Sequence, residues 1–394
     1  MLKYTHSSRL SQTANRTISR SEAHRLIRAS GDELDELFEA ARQTRNRRTG
    51  ATITYSRKVF VPLTNLCRDR CAYCTFARSA EDPAAHTMTA AEVLAVAAAG
   101  KRAGCKEVLF SLGDKPELRY PAYKAWLAEQ GFRSTIEYLA AMCQLVFEET
   151  GLLPHSNPGV LTRAEIELLQ PVNVSMGMMI ESTSDRLLAP GEAHYQCPDK
   201  VPAVRLRMLR DAGEAGIPFT TGILIGIGET LEERVDALFA IKDLHDRYGH
   251  IQEVIIQNFR AKTGTAFEHR AEPDLLDLSR TAAVARLIFG LQVNLQIPPN
   301  LTPGAYDALL RAGINDWGGV SPVTLDFINP ERVWPKLVGL REATAGAGFE
   351  LRERLAVYPQ YVVAPSTWIT SRLHERVADF TDSTGLVRRD QELW

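Results

Sequence analysis

The sequence lacks the features that mark membrane, secreted and nucleic-acid-binding proteins. No apolar run approaches the roughly 18 residues of a membrane span, and residues 1–8 hold no apolar segment of the kind found in secretory signals. The formal net charge of −2 gives no bulk attraction to nucleic acid or to anionic membrane. We therefore expect a cytoplasmic protein that acts on a small molecule, with neither a nucleic-acid nor a membrane partner.

Cysteine is also scarce, but three of the six cysteines, Cys67, Cys71 and Cys74, fall within eight residues. A cluster that is this tight and odd in number cannot be a disulfide framework. Zinc would need a fourth ligand nearby, and the nearest histidine, His86, lies in a polar loop. A [4Fe-4S] cube held by three thiolates leaves one iron open to a small molecule with an amine and a carboxylate. The spacing favours the cube, while a zinc site with a distant ligand stays open.

The other three cysteines are scattered along the chain. Cys105 and Cys143 lie in apolar patterns, which predicts that they pack in the core as small hydrophobic side chains. Cys197 lies in the polar segment 192–198, where a role in a site is an alternative to simple burial.

Short apolar runs alternate with longer helical patterns from Lys58 onward, which is typical of repeated β-α units and a parallel sheet. Eight such runs predict an α/β fold, a closed (β/α)8 barrel of the TIM type. The predicted strands are 59–63, 107–112, 153–155, 172–180, 219–225, 253–257, 292–297 and 312–314.

The sequence divides into three predicted parts. Residues 1–55 are a polar, helical N-terminal extension, with Ser21 as a possible N-cap and a second helix starting near Asp32. Residues 56–330 form the barrel. Residues 331–394 are a C-terminal helix and tail packed on the barrel, in which 354–363 is a strand or an extended segment.

The cysteine spacing, with Tyr73 just before the last cysteine and an apolar strand before the first, resembles the cluster loop of radical S-adenosylmethionine (SAM) enzymes. The resemblance implies a [4Fe-4S] cluster and S-adenosyl-L-methionine as cofactors, placed at the mouth of the barrel. It also implies roles at the strand ends: the turn Gly113, Asp114 and Glu117 for the SAM ammonium, Glu181 for the ribose, Arg205 or else Arg207 for the SAM carboxylate, and Gly226 and Gly228 beside the adenine.

Further motifs, at 156–159, 175–178, 255–262 and 315–322, are similar to those of the 7,8-didemethyl-8-hydroxy-5-deazariboflavin synthases, over residues 55–365. This resemblance implies a lyase that cyclises and deaminates a tyrosine-derived adduct of 5-amino-6-ribitylaminouracil, giving the deazaflavin chromophore (FO) of coenzyme F420. A companion CofH-type enzyme would supply the adduct, and a ferredoxin or flavodoxin the electron. One departure is Asp114, where the family pattern has a glutamate.

An aromatic, polyhydroxylated substrate needs amide and hydroxyl partners beside flat apolar walls. The residues predicted to supply them are Asn157, Gln257, Asn258, Asn315, Asp316, Trp317 and Ser321. For Trp317 a packing role at the end of the barrel is an equal alternative. No residue compels assignment as a general base. Other radical SAM cyclases, a CofH-like adduct-forming enzyme and a metal-binding sensor remain as alternative functions.

Overall fold

The computed structural model describes residues 17–364 and 368–394, and its centre is a closed parallel barrel. The strands pair in the order β2 to β8 and then β1, and β1 also pairs with β2, which closes the ring. The predicted (β/α)8 fold is confirmed. The barrel strands are β1 Thr52–Thr64, β2 Glu107–Leu112, β3 Leu153–Asn157, β4 Ser175–Gly177, β5 Phe219–Ile225, β6 Ile251–Asn258, β7 Asn294–Gln296 and β8 Asp316–Val320.

Helices on the outside of the barrel connect the strands. Three of them begin with a threonine that accepts the N–H of a glutamate three residues on while that glutamate accepts from the threonine N–H, a capping box. These threonines are Thr89, Thr162 and Thr230. The connecting helices are α3 Ala90–Arg102, α4 Pro121–Glu129, α5 Thr135–Thr150, α6 Arg163–Leu169, α7 Pro202–Ala215, α8 Leu231–Tyr248, α9 Leu275–Phe289 and α10 Tyr306–Arg311.

Two helices precede the barrel, α1 Arg20–Leu26 and α2 Asp32–Thr49, and they pack on α8 and α9. The second begins where the sequence predicted. The predicted N-cap Ser21 is wrong, because the hydroxyl of Ser19 accepts the N–H of Glu22 and Ser21 lies inside α1. Residues 1–16 of the predicted extension lie outside the described residues. No helix in the described part of the chain is both long and apolar enough to cross a membrane.

The position of the eighth strand differs from the prediction. The apolar stretch 312–314 is the turn that follows α10, and Gly313 has a φ of 88°; a Cβ there would stand 2.9 Å from the carbonyl oxygen of Ala41 in α2. Its apolar character reflects burial between helices, a pattern that a short buried strand shares. The strand follows at Asp316–Val320.

The C-terminal region closes the amino end of the barrel. Strand β9, Glu350–Glu353, follows α11, Leu337–Gly346, and pairs in parallel with the first half of β1, below the point where β2 joins it. Residues 354–358 then cross the barrel end and are all buried. The predicted strand at 354–363 is therefore wrong, since β9 ends at Glu353; of the alternative, an extended segment, only 354–358 is non-helical, because Pro359–Val362 forms a short helix, α12. Helix α13, Ser371–Phe380, packs outside. The three-part division of the chain stays a prediction.

Candidate active site

The three clustered cysteines lie on one long loop between β1 and α3. They line a cavity of about 250 Å³ at the carboxyl ends of the strands. Backbone hydrogen bonds from Ala72 to Ala193 and from Phe267 to Ala72 hold the loop against two neighbouring loops. The loop therefore presents its thiols inward, at the end of the barrel where active sites of this fold lie.

Cys67 is buried, Cys71 and Cys74 are partly buried, and the pKa values of all three thiols are raised. Burial raises the pKa of Cys67 to about 12, although the N–H of Asp114 donates to its sulfur at 3.2 Å. The neighbouring thiol of Cys197 and burial raise the pKa of Cys71, and burial raises that of Cys74. Without a metal these groups are thiols, and iron must displace their protons on binding.

The donor set fits a cluster with one open iron better than a closed zinc site. His86, the zinc alternative, pairs with Glu92 at 3.1 Å and its side chain is 56% exposed. Cys197 is closer, since its sulfur lies 3.9 Å from that of Cys71, but it does not line the cavity. Three thiols facing one cavity, with room beside them for a chelating molecule, match the requirement of a three-cysteine [4Fe-4S] site.

The turn after β2 approaches the cysteine loop very closely at Gly113. A Cβ there would stand 2.0 Å from the carbonyl oxygen of Leu66 and 2.7 Å from the Cβ of Cys67. Asp114 is buried, and its carboxylate accepts the N–H of Val160 at 2.9 Å. Burial and the neighbouring Asp199 raise its pKa to about 7. Gly113 and Asp114 both line the cavity.

Glu117, the third residue predicted in this turn, points elsewhere. Its carboxylate accepts the N–H and the hydroxyl of Thr135, at 3.2 and 2.5 Å, and so caps α5. The structure brings Gly113 and Asp114 to the cysteines and leaves Glu117 outside the cavity.

We predict that Gly113→Ala prevents correct seating of the cysteine loop, because backbone atoms of Leu66 occupy the place of the new Cβ. Iron per chain after anaerobic reconstitution should fall by at least half. Gly339→Ala is the matched control, because a Cβ there meets no atom within 4 Å. Equal iron content in the two variants would contradict the prediction.

Glu181 lies beside the cysteines in a strained backbone conformation, with φ at 64°. Its carboxylate bonds to Lys200 and Tyr73, and lies 3.0 Å from the Nε2 of His194. Burial opposes its ionisation, yet Lys200, His194 and Arg205 hold its pKa well below the usual value. A charged acceptor is therefore fixed at the cavity wall, which suits hydroxyl donors.

Arg205 also lines the cavity, and its guanidinium donates to the backbone carbonyls of Asp199 and Met179. Gly226 and Gly228 line neither this cavity nor a second one in the barrel interior. They form the turn after β5, with φ of 94° and 117°, and Cβ atoms there would meet Pro273 and Arg270. Their predicted place beside the adenine has no support from this arrangement.

A second cavity of about 170 Å³ occupies the barrel interior below the cysteines. Asn157, Gln257 and Ile328 line both cavities. The side-chain amides of Asn157 and Gln257 make no hydrogen bond within the described residues. These two predicted substrate residues thus lie together at the junction, with donors and acceptors free to meet a ligand.

The other predicted substrate residues lie outside both cavities. With its side-chain amide turned so that the oxygen faces Arg260, Asn258 accepts from Nε at 3.0 Å. The oxygen of Asn315 accepts from Arg286 at 2.6 Å, on the outside of the barrel. Ser321 accepts the N–H of Thr324 at 2.9 Å in a turn.

Trp317 and Asp316 lie within β8 itself. The indole of Trp317 is fully buried and donates to Thr344 at 3.2 Å, so it packs between the barrel and α11. Asp316 is buried in an ion pair with Arg354. The misplacement of β8 explains these assignments, because residues expected after the strand are inside it and alternate between its two faces.

Several residues at the two cavities were missed in the sequence. Lys200 comes from a long loop with no local pattern. Lys58, His155 and Glu253 were detectable, since each is a polar residue directly beside the apolar run of a strand, where burial is costly unless the residue is used.

The radical SAM superfamily model matches residues 61–241. The 7,8-didemethyl-8-hydroxy-5-deazariboflavin synthase of Methanopyrus kandleri is 50% identical over 336 residues, covering 85% of this chain and 100% of that protein. The FO synthase of Nocardia farcinica is 50% identical over 382 residues, covering 94% of this chain, and the chain spans 44% of that protein's length.

Solved structures agree on the fold. Methylornithine synthase has a TM-score of 0.68 at 17% identity, with 87% of this chain and 97% of that chain covered. The FeFe-hydrogenase maturase HydG of Carboxydothermus hydrogenoformans has a TM-score of 0.71 at 20% identity, with 88% and 80% covered. With the cysteine loop in place and a relative matched along its whole length, the chain belongs to the 7,8-didemethyl-8-hydroxy-5-deazariboflavin synthase family of the radical SAM superfamily.

Proposed function

We propose that this chain forms the deazaflavin FO, by radical cyclisation and deamination of a tyrosine-derived adduct of 5-amino-6-ribitylaminouracil. The observation that carries the proposal is the junction of the two cavities. The cysteine cavity and the barrel interior share Asn157, Gln257 and Ile328 as walls, so a molecule in the barrel would be adjacent to one bound at the cysteines. The relative spanned along its whole length carries the name of this activity.

Cys67, Cys71 and Cys74 would hold the [4Fe-4S] cluster, and the open iron would be chelated by SAM. When bound, the reduced cluster and SAM together supply a 5′-deoxyadenosyl radical, which is the chemistry that the protein itself lacks. Gly113 lets the turn after β2 lie directly against the cysteine loop, and the ionised Glu181 would accept the cofactor's hydroxyls.

The chain's own part is to orient the substrate and to exclude water. The amides of Asn157 and Gln257 would position the reacting centre at the junction. Phe60 and Trp334 stack at 5.2 Å on the wall of the barrel cavity and offer a flat apolar surface. An enclosed site with fixed hydrogen bonds protects a reactive radical from solvent and from side reactions.

A companion enzyme would supply the adduct. This chain spans 100% of the Methanopyrus kandleri relative but only 44% of the Nocardia farcinica FO synthase. We infer that more than one catalytic unit contributes to FO formation, that a CofH-type enzyme makes the adduct, and that a ferredoxin or flavodoxin delivers the electron.

The test is turnover of the purified adduct by anaerobically reconstituted protein with SAM and dithionite. We expect a fluorescent product that coelutes with FO, and 5′-deoxyadenosine formed in proportion to it. Omitting the adduct should leave only slow, uncoupled SAM cleavage. SAM cleavage without any deazaflavin would contradict the proposed product while retaining radical SAM chemistry.

A further inference from the structure

The floor of the barrel cavity is polar, which is unusual for a barrel interior filled by side chains. Lys58, His155, Glu253 and Arg354 line it, and all four are buried. Arg354 comes from the C-terminal segment that crosses the amino end of the barrel. The floor is therefore built jointly by the strands and by this crossing segment.

Two of these groups are saturated by protein partners. Arg354 bonds to Asp316 at 2.6 and 2.7 Å and to Tyr358 at 2.7 Å. Glu253 accepts from Tyr358 at 2.7 Å and from Thr220 at 3.0 Å. Arg354 and Glu253 are thus held rigidly at the bottom of the cavity and have little hydrogen-bonding capacity left for a ligand.

The other two groups have capacity left. The nearest carboxylate to the ammonium of Lys58 is that of Glu107, at 3.5 Å, and the ammonium makes no hydrogen bond within the described residues. His155 uses Nδ1 with the hydroxyl of Ser175 at 2.7 Å, which leaves Nε2 for another partner. Burial, with Lys58 and Arg354 nearby, lowers the pKa of His155, so the ring is neutral. A Cβ at Gly177 would stand 3.2 Å from Nε2, so glycine at this position avoids crowding that nitrogen.

The cavity has an apolar middle and a polar floor, which suit different parts of a ligand. Its middle is lined by the apolar side chains of Phe60, Leu109, Ile255 and Trp334. The distance along β6 from Gln257 at the junction to Glu253 at the floor is four residues, or about 13 Å. An aromatic ring fits between the apolar walls, and a polar, non-planar chain fits below it.

We propose that Lys58 and His155 form a subsite for the open-chain polyol of the substrate, its ribityl group; this rests on the proposed function. Three buried carboxylates, those of Glu107, Glu253 and Asp316, already balance the cations near the floor. An uncharged polyol therefore suits the subsite better than a phosphorylated chain, because no net positive charge is left to pair with an added anion.

The experiment compares two adducts, one with the ribityl chain and one with a propyl chain in its place. With wild-type holoenzyme and SAM, we expect the propyl adduct to have a KM about 10- to 100-fold higher, as expected for hydrogen bonds to a charged partner. Calorimetric titration of the unreduced enzyme should give the same ratio of dissociation constants. In Lys58→Met, which removes one of the two proposed partners, the ratio should fall severalfold.

Lys106→Met is the matched control, since Lys106 is equally buried and paired with Glu353 at 2.8 Å, but it does not line the cavity. It should keep the wild-type ratio. Equal KM values for the two adducts on the wild-type enzyme would overturn the subsite whether or not Lys58→Met folds. A ratio preserved in Lys58→Met would also overturn it, and tighter binding of a 5′-phosphorylated ribityl adduct would overturn the uncharged assignment. Absence of any FO from the ribityl adduct, with SAM still cleaved, would instead contradict the proposed function.

Discussion

Cys71→Ser is expected to reduce 5′-deoxyadenosine formation to below about 1% of wild type. Mutation of residues that hydrogen-bond to a metal ligand already lowers metal affinity or activity about 10- to 100-fold, and loss of the ligand itself should lower it further. Serine keeps the size of the side chain but is a poor iron ligand at neutral pH. The measurements are iron and sulfide per chain after anaerobic reconstitution, the visible absorbance of the cluster, and 5′-deoxyadenosine after addition of SAM and dithionite.

Cys197→Ser provides a demanding control for this result. Its sulfur lies 3.9 Å from that of Cys71 and it is the more deeply buried of the two, but it does not line the cavity. We expect normal iron content and normal SAM cleavage. If Cys197→Ser lost the cluster while Cys71→Ser retained it, the cluster would be held by a different set of thiols, and the three-cysteine assignment would fail.

The barrel could be predicted from the sequence because each of its strands and helices has a local pattern of apolar residues. The strands at 107–112 and 219–225 have the predicted bounds, and the cysteine loop follows β1 as expected. The eighth strand was misplaced because a buried helix-to-strand turn and a short buried strand have the same apolar composition. The closing of the amino end by β9 was missed because it depends on pairing with β1, some 300 residues earlier in the chain.

The site was predicted less well than the barrel, because the sequence did not show which side chains of a strand end face the cavity. Gln257 and Asn258 are adjacent amides at the end of β6, yet only Gln257 lines the cavities, because consecutive residues of a strand face opposite sides. The composition of such a strand end indicates a site, but the register with its neighbours decides which residue enters it. The floor residues show the same point, since Lys58 and Lys106 are both buried lysines and only one faces inward.

Arg354→Met is expected to destabilise the fold by about 3–5 kcal/mol, the usual cost of leaving buried charges without their partner. The guanidinium is fully enclosed and bonds to Asp316, and it lies 3.3 Å from Glu253. Methionine fills a similar volume but leaves both carboxylates unpaired beneath the cavity. The measurement is equilibrium urea denaturation of the cluster-free protein, read by far-ultraviolet circular dichroism at pH 7.

Arg389→Met is the control, because Arg389 is also paired with a glutamate, Glu350 at 2.7 Å, but its side chain is 64% exposed. Its urea midpoint should match wild type. The difference in the free energy of unfolding between wild type and Arg354→Met should shrink as the pH falls from 7 toward 5. Burial raises the pKa of Glu253, and loss of the Arg354 cation that opposes this raises it further, so the folded variant takes up more protons than the unfolded chain and gains stability on acidification. A deficit that stays constant over this range would assign the loss to packing alone, and the floor would then owe its stability to shape and not to charge.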